Sequence, residues 1–200
     1  MKILVLSPHP DDAELYAGGT IAKLRRQGGC DIHWVSFSDC ENDEIEYEWN
    51  KSMDIFEPIQ RHFWNFPRRG FDRHRQRILD ELINIRNINP KFDYVFSTHP
   101  QDVHQDHAVI GQEAIRAFKN TNLLFYLQPS NLNNLNIKVF SEILEYDLGT
   151  KIEAINCYKS QFEMERPYFD IDYIKALAKV YGTMINKPYA EGFDSFRMFM

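Results

Sequence analysis

Short apolar runs alternate along the chain with stretches in which apolar residues return every three or four positions. Ile3 to Leu6 is the first unbroken run and, with Lys2, predicts a buried strand. Similar runs predict strands over Ile32–Phe37, Arg61–Phe66, Asp93–Thr98 and Leu123–Leu127. Helical spacing fills the gaps. Asp11 or Asp12 can cap a helix with Ile21 and Leu24 on its inner face, and Gly28-Gly29 stops it. Glu44–Ile55, the set Ile78, Leu79, Leu82 and Ile85, and Ala108–Phe118 predict three more helices. Beyond Asn136 the pattern predicts a strand over Lys138–Ile143, helices near Lys151–Gln161 and Ile171–Met184, and a last strand within Phe193–Phe199. Strands alternating with helices imply an α/β fold: a mostly parallel sheet with helices on both faces.

Two hundred residues, 44% of them apolar, suit one domain spanning residues 1–200 with a sizeable core. A net charge of −6 argues against a general nucleic-acid or anionic-membrane surface. Cys30, Cys40 and Cys157 are odd in number and far apart, which suggests neither a disulfide framework nor a cysteine zinc site. The apolar run near the start is too short for a signal-peptide core, and no stretch approaches a membrane span. A reducing, cytoplasmic setting is the expectation.

Two polar clusters interrupt the apolar pattern, each directly after a predicted strand. They are Ser7-Pro8-His9-Pro10-Asp11-Asp12-Ala13-Glu14 and His99-Pro100-Gln101-Asp102-Val103-His104-Gln105-Asp106-His107. Ligands of open α/β sheets bind beyond the carboxyl ends of the strands, so the clusters face one crevice if the first and fourth strands are neighbours. A catalytic zinc takes three protein ligands and leaves a position for water. His9 and Asp12 stand three apart across a strand-to-helix turn, so both can reach one ion while Asp11 points elsewhere. A metal lowers the pKa of bound water to about 7, and Asp11 is placed to take its proton. His104 and His107 are also three apart and share a face if they open a helix. One completes the metal site; the other stabilises an oxyanion or protonates a leaving amine, with Asp102 or Asp106 orienting that imidazole. Spacing alone leaves open which histidine does which. His33 and His62, inside predicted strands, read as structural. No GxGxxG follows the first strand, which argues against dinucleotide binding.

These residues resemble the PIG-L / LmbE-like family of zinc-dependent N-deacetylases. His9-Pro10-Asp11-Asp12-x-Glu14 followed by Gly18-Gly19-Thr20 matches the family's opening signature, and His99-Pro100-x-Asp102-x-His104-x-Asp106-His107 its second. Tyr158-Lys159-Ser160-Gln161 and Tyr189-Ala190-Glu191-Gly192-Phe193 resemble its closing motifs. The resemblance implies a Rossmann-like fold and removal of an acetyl group from an N-acetylated amino sugar or sugar conjugate by attack of metal-bound water. It also implies roles: His9, Asp12 and His107 bind one Zn2+ per chain, Asp11 is the general base, and His104 is the electrophilic or acid partner with Asp106 behind it. Ligation by two histidines and an aspartate suits Fe2+ as well. Ser38-Asp39-Cys40-Glu41 stands where members often carry Thr-Asp-Gly-Glu, and Val180-Tyr181-Gly182 where many have Arg-Gly; both departures bear on the substrate rather than on the metal.

The substrate-binding residues are not readable at this point. Arg68-Arg69-Gly70-Phe71-Asp72-Arg73-His74-Arg75-Gln76-Arg77 is the one basic concentration, and reads either as a grip on a substrate phosphate or carboxylate or as a solvated loop and helix face. Trp34, Trp49, Phe63, Trp64 and Phe66 read as core and rim. Two other functions compete: a metal-dependent phosphoesterase, which usually needs two ions about 4 Å apart, and a non-catalytic sugar-binding module.

Overall fold

The computed structural model describes residues 1–38, 43–89 and 91–199. The elements run β1 (Lys2–Ser7), α1 (Asp12–Gln27), β2 (Asp31–Ser36), α2 (Asp43–Phe56), β3 (Gln60–Phe63), α3 (Arg75–Ile88), β4 (Tyr94–Thr98), α4 (Gln105–Phe118), β5 (Asn122–Tyr126), β6 (Val139–Ile143), α5 (Glu145–Ile155), α6 (Lys159–Phe162), α7 (Ile171–Met184) and β7 (Tyr189–Arg197). They form one seven-stranded sheet in the order β3-β2-β1-β4-β5-β7-β6. The first five strands in that order are parallel, and β7 runs antiparallel to both β5 and β6.

Both faces of the sheet are covered, which is why β1, β4 and β5 read as unbroken apolar runs. Ile3, Val5, Trp34, Phe96 and Leu124 pack on one face with α1, α2, α5 and α7. Leu4, Leu6, Val35, Val95 and Leu123 pack on the other with α3 and α4. The chain leaves β1 toward β2 on one side, and β4 lies on its other side, so the strand order reverses between β1 and β4. A crevice opens beyond the carboxyl ends at such a reversal. Both polar clusters end there.

The third strand ends at Phe63 rather than Phe66, and the last runs from Tyr189 to Arg197 rather than within Phe193–Phe199. Three further sequence expectations shift. Asp11 occupies the cap position of α1, but its carboxylate bonds no helix amide. The Ala13 N–H is instead accepted by Ser7 Oγ at 3.1 Å, which leaves Asp11 turned toward the cleft. The helix expected over Lys151–Gln161 is α5, starting earlier at Glu145, followed by the short α6. Asp147 sets that start by accepting the Leu144 N–H at 2.9 Å. α4 begins at Gln105 rather than Ala108, because His104 caps it. The departure noted at 38–41 lies outside the described residues beyond Ser38.

Candidate active site

The opening turn is shaped by Ser7, whose hydroxyl donates to the His9 carbonyl at 2.6 Å while accepting from Ala13. This holds His9, Asp11 and Asp12 at the end of β1. The second turn is shaped by Asp102, which accepts the His104 N–H at 2.7 Å and the His107 ring at 3.0 Å. Thr98 Oγ1 donates to the His107 carbonyl at 2.8 Å and ties α4 to β4.

Three donor atoms meet where the turns converge. His9 Nδ1 and Asp12 Oδ2 are 3.1 Å apart, His107 Nε2 and Asp12 Oδ2 3.1 Å, and His9 Nδ1 and His107 Nε2 3.2 Å. Donors about 2.0–2.1 Å from a tetrahedral zinc stand roughly 3.3 Å from one another, so this triangle fits such an ion. The outer ring nitrogens are already engaged: His107 Nδ1 on Asp102, and His9 Nε2 on Asp106 at 3.2 Å. With those protons held outward, both inner nitrogens present lone pairs beside a carboxylate. Three acceptors facing each other repel unless a cation, a proton or a metal ion, lies among them.

The charges agree with that geometry. Burial favours neutral imidazoles, yet Asp12 and Asp102 outweigh it and push His107 up to about 10. His9 is likewise raised against burial by Asp106 and Asp12. Asp12 is held well below the usual carboxylate range, its burial overcome by His107 and His9. The site thus attracts positive charge strongly.

Asp11 is different. It is buried, lines the cleft, and its carboxylate has no hydrogen-bond or ion-pair partner among the described residues. Burial and the neighbouring Asp12 push it up to about 6, while His9, Arg166 and Arg68 pull the other way. His104 Nδ1 accepts the Asp106 N–H at 3.3 Å. Burial, then the charges of His107 and His9, lower this imidazole to about 4, so the neutral ring carries its proton on Nε2. His9, His104 and His107 also bring ring nitrogens within 4.8 Å of one another. The shorter edges through Asp12, and the engagement of His104 Nδ1, favour the His9–Asp12–His107 set.

The geometry revises one sequence expectation. Asp106 does not stand behind His104: its Oδ2 takes His9 and the Arg69 N–H at 2.7 Å, and its Oδ1 the Phe71 N–H at 3.3 Å. Asp102 backs His107. The cause is topological, since α4 carries Asp106 back against β1's turn and the loop after β3. His33 is buried edge-on against Phe92, and His62 is exposed, both away from the cleft. Trp34, Trp49 and Phe66 are core.

The cleft over the donors has a volume of ≈ 260 Å³. Arg68 and Arg69 line it, whereas Arg75 pairs with Glu113 and Arg77 covers Phe66, so only part of the basic segment belongs to the site. Gln128, Asn131, Gln161, Arg166 and Tyr168 complete the wall and carried no sequence signal as site residues. Gln161 alone falls within a quoted motif. Glu14, two residues past Asp12, is fully buried and accepts from Ser52 at 3.1 Å and Tyr158 at 2.5 Å. Burial pushes it up to about 8.

The fold is a Rossmann-like sheet with His9, Asp12 and His107 gathered at its point of reversal. The chain belongs to the PIG-L family, whose profile, described as GlcNAc-PI de-N-acetylase, matches residues 4–118. Its similarity to diacetylchitobiose deacetylase of Thermococcus kodakarensis is 24% identity over 96% of this chain and 81% of that protein. The conserved protein TT1542 of Thermus thermophilus shares the fold at a TM-score of 0.80 and 23% identity, over 99% of this chain and 96% of that one. GalB, the 4-carboxy-2-hydroxymuconate hydratase of Pseudomonas putida KT2440, shares it at 0.79 and 19% identity, over 100% and 97%. A hydratase on this fold means that the reaction must be argued from the site.

Proposed function

We propose that the chain is a zinc-dependent N-deacetylase acting on an N-acetylated amino sugar or sugar conjugate. The observation that carries the reading is the unpartnered, buried Asp11 carboxylate beside the donor triangle. His9, Asp12 and His107 would hold the ion. Zinc there would polarise the acetyl carbonyl and acidify water. Asp11 accepts the proton of the attacking water, with no hydrogen bond of its own to break. His104 presents Nε2–H to the carbonyl oxygen as charge builds on it. The proton collected by Asp11 passes to the leaving nitrogen, and acetate and a free amine result. Asp102 and Asp106 fix the ring orientations of His107 and His9. Gln128, Asn131 and Gln161 offer side-chain amides to sugar hydroxyls. The deacetylase activity named for the Thermococcus kodakarensis relative supports the substrate class.

The competing readings fit less well. The carboxylates left for a second ion, Asp102 and Asp106, already hold His107 and His9. A pure binding module has no use for a buried carboxylate without a partner.

Acetate release from N-acetylated sugars by protein loaded with one equivalent of zinc tests the reading. Asp11→Asn should retain the metal and lower kcat by about 10²–10⁴-fold. Full activity in that variant removes the general base proposed here. No acetate from any sugar, with metal bound, overturns the deacetylase reading.

A further inference from the structure

Arg68 and Arg69, from the turn after β3, and Arg166, from the turn before α7, all line the cleft. Arg166 lies 5.9 Å from the centre of the Tyr168 ring. None of the three has a carboxylate within ion-pair distance among the described residues. The chain has ample acid to supply one, with 29 Asp and Glu against 23 Lys and Arg. Elsewhere five arginines pair with carboxylates, Arg25 with Glu57, Arg26 with Asp147, Arg61 with Asp54, and Arg75 and Arg116 with Glu113, while Arg86 and Arg197 donate to backbone carbonyls and Arg77 covers Phe66. The three in the cleft stand together where a ligand would lie. They form no ion pair with the centre either: Asp12 is shared by two imidazoles, and Asp11 makes none.

The loop holding two of them is fixed rather than draped. Arg69 has φ 58°, a left-handed conformation uncommon for such a residue. Its N–H is held by Asp106 Oδ2 at 2.7 Å, its carbonyl accepts from the Gln105 side chain, and Phe71 N–H reaches Asp106 Oδ1 at 3.3 Å. The same Asp106 orients His9. One carboxylate therefore sets both the donor triangle and the neighbouring basic wall.

We propose that the substrate carries an oxyanion, a phosphate or a carboxylate, beside its N-acetyl sugar, and that Arg68, Arg69 and Arg166 recognise it. This rests on the N-deacetylase reading. A guanidinium is a planar fork suited to bidentate capture of either group, and arginines from two separate turns can close on it from more than one direction.

The test compares kcat/KM for N-acetylglucosamine, N-acetylglucosamine 1-phosphate and N-acetylmuramic acid with zinc-loaded protein. At least one anionic sugar should exceed the neutral one by about tenfold or more, as expected for a charge-assisted contact. Which of them does so separates phosphate from carboxylate. The preference should shrink with added salt and fall several-fold in Arg68→Gln and in Arg166→Gln, mainly through KM. Acetate from all three at equal kcat/KM overturns the anion proposal and leaves the deacetylase standing. If no sugar is turned over, the activity reading fails, and calorimetric titration of the zinc-loaded protein with inorganic phosphate decides the arginine site. Affinity lost in both variants supports it; affinity unchanged in both overturns it.

Discussion

The two ends of the sheet differ in kind. From β3 to β5 five parallel strands carry on their connecting turns every donor of the triangle, together with Asp11 and His104. At the other end β7 and β6 run antiparallel, and the chain between them brings Gln161, Arg166 and Tyr168 to the cleft without a metal-type donor. The ends are joined through Glu191 of β7. It pairs with Lys151 of α5 at 2.8 Å and accepts the Gly19 and Thr20 N–H groups of α1 at 3.0 and 2.7 Å. The parallel half thus carries the donor triangle, and the latched half adds wall to the same cleft. The family profile covers residues 4–118, the half with the donors, and stops before the latched one.

The division breaks most completely at the triangle. His107→Ala should empty the site of metal, removing several kcal/mol of transition-state stabilisation, about 10³-fold in rate. Arg166→Gln should keep its full metal content. Metal analysis of both purified proteins checks this, and metal lost from the arginine variant would show that the halves are not separable.

A smaller effect is expected one step outward. Asp102→Asn removes the carboxylate that orients His107, and should weaken metal affinity by about 10–100-fold. Asp106→Asn should do the same to His9 while also loosening the Arg69 and Phe71 amides. Competition with a chromophoric chelator measures the first effect in both variants. Only Asp106→Asn should in addition blunt any preference for an anionic sugar; equal blunting by Asp102→Asn would sever the link drawn between Asp106 and the basic wall.

What the sequence could reveal follows the same division. β1 and β4 were legible because strands covered on both faces carry consecutive apolar residues, Ile3–Leu6 and Tyr94–Phe96, and a proline follows each within two residues of its end. The two clusters were legible because each is contiguous and sits at a strand exit. The partner of Asp106 was not, since it lies 97 positions away on a turn brought close only by the reversal between β1 and β4. His104 and His107 are expected to share a face if they open a helix, but His104 stands just outside α4 as its cap and only His107 lies in the first turn, so spacing alone does not fix where the helix starts. Gly149 and the charged residues around it obscured the beginning of α5. Arg166 and Tyr168 sit in a turn whose composition matches any surface turn, and only the folded chain sets them beside Asp11.

The smallest effects separate backbone preference from packing. Replacing a helical glycine by alanine ordinarily stabilises by about 0.5–1 kcal/mol. At Gly149 in α5 an added Cβ meets nothing within 4 Å, so Gly149→Ala should show that gain in urea unfolding. At Gly111 in α4 the same atom would lie 2.6 Å from the Thr98 carbonyl oxygen and 2.7 Å from Pro100 N. Both are backbone atoms that cannot swing aside, so α4 must retreat from β4. Overpacking of this kind costs about 1–3 kcal/mol and exceeds the gain in helix preference. Because α4 carries His107 in its first turn, Gly111→Ala should also weaken metal binding, whereas Gly149→Ala should not. Two stabilised variants with equal metal affinity would mean that the contact between α4 and β4 does not position the site.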